Sequence, residues 1–173
     1  MSEADGHLLL VGMMGAGKTT VGRLVADHLG RPYRDSDTMV EEATGHSVPE
    51  LFEAEGEAAF RAAESAALRA AVAPPPAVIS VAGGAVLDPT NRALLAASGT
   101  VVWLRAAPET LAARVGDGDG RPLLAPDPAR ALVALDAARR PLYAEVADAV
   151  VDVDDLAPTQ VADAVLLAAR AAP

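Results

Sequence analysis

The chain has 173 residues, of which 51% are hydrophobic, and it contains no cysteine. This length and apolar content predict a single domain over residues 1–173, and the lack of cysteine excludes disulfides, thiolate catalysis and cysteine-ligated metals. A net charge of −10 and an aromatic content of only 3% disfavour nucleic acid as a partner, because phosphate backbones need basic faces and bases need stacking platforms. No apolar run is long enough to cross a bilayer, so we expect a cytoplasmic protein with no membrane partner.

Residues 7–11 form a short apolar segment typical of a buried strand, and residues 20–29 carry apolar side chains at helical spacing. Between them, residues 12–19 read GMMGAGKT, which matches the P-loop pattern G-x-x-x-x-G-K-[ST]. A glycine-rich turn at a helix N-terminus points backbone N–H groups and the positive end of the helix dipole at an anion. Lys18, the only lysine of the chain, would contact the β- and γ-phosphates, and the Thr19 hydroxyl would ligate Mg²⁺. The pattern predicts a nucleotide-binding protein.

Further strands and helices alternate along the rest of the chain. The remaining predicted strands cover residues 33–37, 77–81, 100–104 and 149–153. The remaining predicted helices cover residues 38–43, 48–54, 57–72, 89–97, 108–115, 129–146 and 158–169. This alternation predicts an α/β fold with a parallel sheet between two layers of helices and with ligands at the carboxyl ends of the strands. The polar, glycine-rich loop at 116–120 is typical of a mobile segment.

Two carboxylates, Asp35 and Asp37, stand at the end of the second predicted strand. Beside a phosphate site, one could serve Mg²⁺ and the other could accept a hydrogen bond from the attacking hydroxyl. The alternative is a solvated turn at a strand end.

Glu57, Arg61 and Glu64 share one helical face. From spacing alone a surface ion pair is favoured, while a functional interpretation has Glu64 orienting Arg61 towards a carboxylate. Gly83 and Gly84 follow the third strand, where they either let the backbone approach a ligand or form a plain tight turn.

Arg121 follows the mobile loop, and it either completes the charge around a phosphate when the loop closes or is simply exposed. Arg139 and Arg140 precede Pro141 and could equally stabilise a helix C-terminus. The histidines show no metal-ligand spacing, and we predict structural roles for all three, which are His7, His28 and His46.

These segments together resemble the shikimate kinases. The P-loop, D-x-D at 35–37, G-E-x-x-F-R-x-x-E at 56–64, Gly-Gly at 83–84, R-P-L-L at 121–124 and R-x-P-L-Y at 139–143 occur in that family's order. The resemblance covers residues 8 to 158. It implies a three-layer P-loop kinase fold with a five-stranded parallel sheet in the order 2-3-1-4-5. It also implies a substrate-binding segment at about 38–73 and a mobile lid at about 116–127.

The implied activity is transfer of the γ-phosphate of ATP to the 3-hydroxyl of shikimate in the presence of Mg²⁺, by a protein that we expect to be a monomer. Asp37 would hold the reacting hydroxyl, and the catalytic residues would be Lys18, Asp37 and Arg121. Asp35 and Thr19 would serve the metal, helped by Ser80 through water. The nucleotide would contact Gly15, Ala16, Gly17, Lys18, Thr19, Thr20, Arg114, Arg121 and Pro158. Shikimate would contact Asp37, Phe52, Phe60, Arg61, Gly83, Gly84 and Arg139.

Ala82 departs from the family, which usually has three consecutive glycines at 82–84. If residue 82 needs a positive φ, alanine strains the backbone by about 1 kcal/mol. This altered turn leaves open a kinase of another small hydroxy acid or cyclitol, of a gluconate type or of secondary metabolism. Arg140 leaves a one-residue ambiguity over which guanidinium faces the substrate. A regulatory module that binds nucleotide without catalysis is the third alternative, and the retained P-loop lysine and D-x-D argue against it.

Overall fold

The computed structural model describes residues 6–116, 121–124 and 126–173. Five strands form one sheet in the order β2-β3-β1-β4-β5, and every neighbouring pair is parallel. The strands are β1 (His7–Val11), β2 (Tyr33–Asp35), β3 (Val78–Ser80), β4 (Gly99–Arg105) and β5 (Ala149–Asp152). The predicted α/β fold and its strand order are therefore confirmed.

Seven α-helices connect and flank the strands in the described part of the chain. They are α1 (Lys18–Leu29), α2 (Ser36–Thr44), α3 (Val48–Ala71), α4 (Pro89–Ser98), α5 (Pro108–Val115), α6 (Pro128–Val146) and α7 (Pro158–Ala171). Several of them begin with proline in the first turn. An N–H group at that position has no partner within the helix, so the absence of one in proline costs no hydrogen bond. None of the helices in the described residues is both long and apolar enough to cross a membrane.

The central strand β1 is buried along its whole length, and the sheet is covered on both faces. Leu9 and Leu10 are completely excluded from solvent. Full burial of a leucine side chain stabilises the folded state by about 2 kcal/mol. A second, smaller apolar cluster lies between α2 and α3 and contains Val40, Leu51, Phe60 and Ala67. The main core thus packs against the sheet. The smaller cluster packs α2 against α3 beside the carboxyl ends of the strands.

The second strand ends earlier than predicted, at Asp35 and not at residue 37. The Asp35 carboxylate caps α2, because its Oδ1 accepts hydrogen bonds from the N–H groups of Asp37 at 3.0 Å and Thr38 at 3.4 Å. Asp37 therefore lies in the first turn of a helix, and the prediction of a continuous strand through it was wrong.

Glycines end or interrupt the helices where the sequence predicted breaks. Gly45, with φ of 71°, ends α2, and Gly56, with φ of 84° and ψ of 178°, interrupts α3. The predicted lid at about 116–127 includes residues 117–120 and 125, which lie outside the described residues. Its described part contains a short 3₁₀ turn at Pro122–Leu124.

Candidate active site

A cavity of about 370 Å³ opens at the carboxyl ends of the central strands. This is the edge where a parallel sheet gathers its ligands, because the turns that follow neighbouring strands meet there. Of the residues predicted for the site, those that line the cavity are Gly15, Gly17, Lys18, Thr19, Thr20, Asp35, Asp37, Phe60, Arg61, Gly83, Gly84, Arg121 and Arg139. The fold thus brings together residues as far apart in the sequence as Gly15 and Arg139.

Four predicted residues do not line this cavity. Ala16 is buried in the P-loop, and the Arg114 guanidinium lies beside it, donating to the carbonyls of Gly15 at 3.1 Å and Ala16 at 3.4 Å. Pro158 opens α7. Phe52 packs on Phe60 with the ring centroids 4.8 Å apart, on the side of the smaller apolar cluster. Phe52 therefore does not line the cavity itself, and its predicted contact with the substrate stays a prediction.

The P-loop has the backbone that its glycines permit. Gly15 and Gly17 have φ of 84° and 94°, a backbone conformation that residues other than glycine rarely adopt. Lys18 Nζ donates to the carbonyls of Gly12 at 2.7 Å and Met13 at 3.1 Å, so the ammonium is held over its own loop. Desolvation by the surrounding walls lowers the pKa of Lys18 to about 8, and the carboxylates of Asp37 and Asp35 oppose this shift. An anion bound at the loop would favour the charged form.

A hydroxyl and a carboxylate meet at the start of α1. Thr19 Oγ1 donates to Asp35 Oδ2 at 3.1 Å. Hard oxygen donors of this kind suit Mg²⁺, which takes its remaining ligands from phosphates and water. Within the described residues there is no group of three or more acidic or histidine side chains that could hold a metal alone. The donor set therefore fits a magnesium ion that arrives with a nucleotide.

Asp37 lines the same cavity as the P-loop and is exposed to solvent. Desolvation by the cavity walls and the neighbouring Asp35 raise the pKa of Asp37, while Lys18 acts against both. A carboxylate with a raised pKa is a better hydrogen-bond acceptor for an alcohol.

Arg61 stands on the wall formed by α3. Its Nη1 lies 2.9 Å from Glu64 Oε1 and its Nη2 lies 3.6 Å from Glu57 Oε1, so both predicted pairs occur. Glu64 is 2% exposed, and burial raises the pKa of its carboxyl while Arg61 lowers it. The guanidinium also lies over the Phe60 ring, 5.3 Å from its centroid. Glu64 is thus a buried anchor that holds Arg61 at the cavity wall.

Arg139 is the deepest cation of the site. The residue is 1% exposed, its Nη1 lies 4.0 Å from Met13 Sδ, and its Nε has no hydrogen-bond partner among the described residues. No carboxylate in the described ranges lies within 4 Å of its guanidinium. A buried charge without a counterion is costly, so this geometry indicates a binding site for an anion.

The neighbouring Arg140 is engaged elsewhere. Its Nε donates to Asp136 at 2.6 Å, its Nη2 donates to the Ala106 carbonyl at 2.8 Å, and it lies over the Trp103 ring. Of the two adjacent arginines, Arg139 is therefore the one that lines the cavity.

Steric room explains the glycines of the turn at 82–84. A Cβ at Gly84 would lie 2.0 Å from Arg61 Nη1, and a Cβ at Gly83 would lie 3.3 Å from Arg139 Nη1. Each glycine thus makes space for one guanidinium. Ala82 is not a strained substitute, because Asp155 is the only described non-glycine residue with a positive φ. The strain considered for Ala82 from the sequence is therefore absent.

The family model for shikimate kinase matches residues 14–170. The chain belongs to the shikimate kinase family. A shikimate kinase from Neisseria meningitidis serogroup C is 48% identical over 153 residues, which are 88% of this chain and 90% of the relative. A solved shikimate kinase from Acinetobacter baumannii, in complex with shikimate, is 39% identical and superposes with a TM-score of 0.91 over 95% of this chain and 92% of that one.

A more distant solved structure shares only the fold with this shikimate kinase family member. It is a gluconokinase from Sinorhizobium meliloti with 21% identity and a TM-score of 0.63, covering 98% of this chain and 94% of that one.

Three residues that hold the site together were missed from the sequence. Ser36 accepts a hydrogen bond from the Ala82 N–H at 2.8 Å, the Tyr143 hydroxyl donates to the Gly83 carbonyl at 2.7 Å, and the Tyr33 hydroxyl lies 3.2 Å from Asp35 Oδ2. Burial raises the pKa of Tyr143 to about 12, so this hydroxyl stays a donor. Two signals were available: Tyr33 precedes Asp35 by two positions on a strand, and Tyr143 follows Arg139 by four on a helix.

Proposed function

We propose that the chain catalyses transfer of the γ-phosphoryl group of ATP to the 3-hydroxyl of shikimate. The observation that carries this proposal is the pairing of a phosphate-binding turn with a buried, carboxylate-free Arg139 in one cavity. Such a site accepts two anionic molecules side by side. Membership of the shikimate kinase family, and the shikimate held by the Acinetobacter baumannii relative, select the acid among the possible small anions.

In the nucleotide half of the site, the P-loop backbone and Lys18 would hold the β- and γ-phosphates. Thr19 and Asp35 would hold Mg²⁺, which neutralises charge on the phosphates when bound. Arg114, already beside the loop carbonyls, would face the adenine together with the segment at Pro158. Arg121 lines the cavity and would add a second cation at the phosphates as the lid closes.

In the acceptor half, Arg61 and Arg139 would bind the carboxylate of shikimate through charge-assisted hydrogen bonds. Phe60 would contact the ring, and Gly83 and Gly84 would bring the backbone close to it. Because the two guanidiniums sit on different elements, α3 and α6, they fix the acid from two sides. The ring is thereby oriented with one hydroxyl towards Asp37.

Asp37 would accept a hydrogen bond from the 3-hydroxyl and orient its oxygen at the γ-phosphorus. In the transfer, a bond forms between that oxygen and phosphorus as the bond from phosphorus to the β–γ bridging oxygen breaks, and ADP leaves. The hydroxyl proton passes to Asp37 and then to solvent. Positioning and charge neutralisation supply most of the rate in such reactions, so this small set of groups suffices.

A kinase for another hydroxy acid or cyclitol is not favoured. The altered glycine turn was its only support, and Ala82 leaves the turn unstrained with both arginines in place. The likeness to the gluconokinase is one of fold and does not bear on the acceptor.

The test is ADP release with Mg²⁺ and ATP against shikimate, quinate, gluconate and myo-inositol. We expect kcat/KM for shikimate to exceed that for each other acceptor at least about 100-fold, since only shikimate satisfies both arginines and Asp37. The Lys18→Met variant, prepared identically, controls for contaminating phosphotransferases, and ³¹P NMR of the product locates the phosphate. Equal turnover of all four acceptors would contradict the proposal.

The assignments of residues 38–73 as a substrate-binding segment and of 116–127 as a mobile lid are part of this proposal. A cytoplasmic, monomeric, single-domain protein stays a prediction from the sequence.

A further inference from the structure

Tyr33 contacts Asp35 and Ser80, which line the cavity, and it has no role in the function described above. It precedes Asp35 by two positions on β2, so both side chains point to the same face of the sheet. Ser80 pairs with Asp35 in the register between β2 and β3, and α1 packs over both strands. The hydroxyl groups of Tyr33 and Thr19 both contact the Asp35 carboxylate, and the Ser80 hydroxyl contacts that of Tyr33.

The Tyr33 hydroxyl has two acceptors within hydrogen-bonding distance. Asp35 Oδ2 lies at 3.2 Å and Ser80 Oγ lies at 2.9 Å. Ser80 donates its own proton to the Lys18 carbonyl at 2.9 Å, so towards Tyr33 it acts as an acceptor. The hydroxyl proton of Tyr33 is thus shared between Asp35 and Ser80, and Ser80 is itself hydrogen-bonded to the backbone of α1.

The position of this hydroxyl is fixed by its ring. A Cβ at Gly22 would lie 2.6 Å from Tyr33 Cε2, so the ring fits under α1 only because residue 22 is glycine. The Arg23 guanidinium lies over the outer side of the ring, 5.6 Å from its centroid. The ring is held between these two residues, and its hydroxyl can reach only the end of β2 and β3.

The two oxygens of Asp35 have different partners. Oδ1 caps α2 through the N–H groups of Asp37 and Thr38 and is committed to the fold. Oδ2 accepts from Thr19 and from Tyr33, so it is the oxygen that faces Thr19, the other residue proposed to hold the metal. Whatever orients Oδ2 therefore sets the geometry of the metal site.

We propose that Tyr33 is a positioning residue for the Mg²⁺ site. Its hydroxyl orients Asp35 Oδ2 and, through Ser80, connects that oxygen to the backbone carbonyl of Lys18. The distance between the Asp35 carboxylate and the P-loop is thereby fixed. This inference rests on the proposed function only in that Asp35 and Thr19 serve the metal. It adds a residue that affects metal-dependent nucleotide binding and does not affect shikimate binding.

Calorimetric titration of ADP tests it, once with excess Mg²⁺ and once with EDTA. The ratio of the two dissociation constants measures how much the metal contributes to nucleotide binding. In Tyr33→Phe we expect this ratio to fall about fivefold, the effect of one lost hydrogen bond, with ADP affinity in EDTA unchanged. Phenylalanine keeps the ring and its contacts with Gly22 and Arg23.

Tyr143→Phe is the matched control, because Tyr143 is the other tyrosine of the chain and its hydroxyl binds the Gly83 carbonyl on the acid side. We expect it to leave the metal ratio unchanged and to raise the KM for shikimate, while Tyr33→Phe leaves that KM unchanged. An unchanged ratio in Tyr33→Phe overturns the inference, and so does equal weakening of ADP with and without Mg²⁺. Wild-type protein that binds MgADP but does not phosphorylate shikimate would contradict the proposed function and leave this test intact.

Discussion

The hydroxyl of Ser36 accepts a hydrogen bond from the backbone N–H of Ala82 at 2.8 Å. Ser36 is completely buried and immediately precedes Asp37, whereas Ala82 begins the turn that accommodates the two guanidiniums. One hydrogen bond therefore joins the segment that would hold the reacting alcohol to the turn beside Arg61 and Arg139. The distance between the two ends of the acceptor site depends on it.

Ser36→Ala leaves the Ala82 N–H buried without a partner. We expect the free energy of unfolding to fall by about 1–2 kcal/mol and the KM for shikimate to rise several-fold, because Asp37 and the turn lose their common anchor. Ser47→Ala is the control, since it removes the hydroxyl that caps α3 and costs about 1 kcal/mol away from the cavity. Denaturant titration and steady-state kinetics measure both effects, and identical kinetics in the two variants would contradict the role of Ser36.

Gly84→Ala places a methyl group 2.0 Å from Arg61 Nη1, which forces the guanidinium off the cavity wall. We expect the KM for shikimate to rise at least about tenfold with the KM for ATP unchanged, because in the proposed complex Arg61 binds the acid and not the nucleotide. Gly45→Ala has open space around it and a φ of 71°, so it lowers stability by about 1 kcal/mol without changing either KM. A normal KM for shikimate in Gly84→Ala would show that Arg61 does not bind the acid.

Arg139→Met exchanges a buried cation for an apolar side chain of similar length. We expect the KM for shikimate to rise about 10–100-fold while the free protein becomes more stable by about 1 kcal/mol, because an uncompensated buried charge is removed. Arg140→Met should do the reverse, losing stability with its bonds to Asp136 and Ala106 and leaving the KM nearly unchanged. Thermal denaturation beside steady-state kinetics separates the two arginines, and a larger KM effect at Arg140 would reverse the assignment.

Nucleotide binding is linked to the protonation of Lys18. Its pKa of about 8 in the free protein means that the ammonium loses its proton as the pH rises through 8, and bound phosphates raise the pKa again. At pH 8.5 we therefore expect ADP binding to take up roughly 0.7 proton, falling towards zero at pH 6.5, and the affinity to weaken above pH 8.

Calorimetry in buffers of different ionisation enthalpy measures this proton uptake. Lys18→Met is the control, and it should bind ADP weakly with no proton uptake at pH 8.5. Wild-type binding without proton uptake at that pH would show that the Lys18 ammonium keeps its proton in the free protein.

The fold could be predicted from the sequence because its signals are local. An apolar strand followed by a P-loop and an amphipathic helix specifies one βα unit, and the repetition of such units leaves a parallel sheet as the solution. The end of β2 was harder to predict, since a carboxylate within a strand pattern and one that caps the next helix look alike in sequence. Asp35 takes the second role, and Asp37 is moved into α2.

The residues of the cavity could be gathered from motifs, but the reasons for their chemistry could not. The glycines at 83 and 84 are explained by guanidiniums that arrive from α3 and α6, far away in the chain. Helical periodicity alone does not distinguish Arg139 from Arg140, because either can face the sheet until α6 is packed. The hydrogen bond from Ala82 to Ser36 likewise depends on tertiary approach and leaves no sequence pattern.

The most direct test of the account is the single-turnover rate of phosphoryl transfer from MgATP to shikimate in Asp37→Asn and in the wild-type protein. Asparagine keeps the size of the side chain but cannot take the hydroxyl proton. We predict a rate at least about 100-fold lower in Asp37→Asn, with the dissociation constant of shikimate changed less than about threefold because both arginines remain. An unchanged transfer rate would contradict the central claim that Asp37 orients and deprotonates the acceptor hydroxyl.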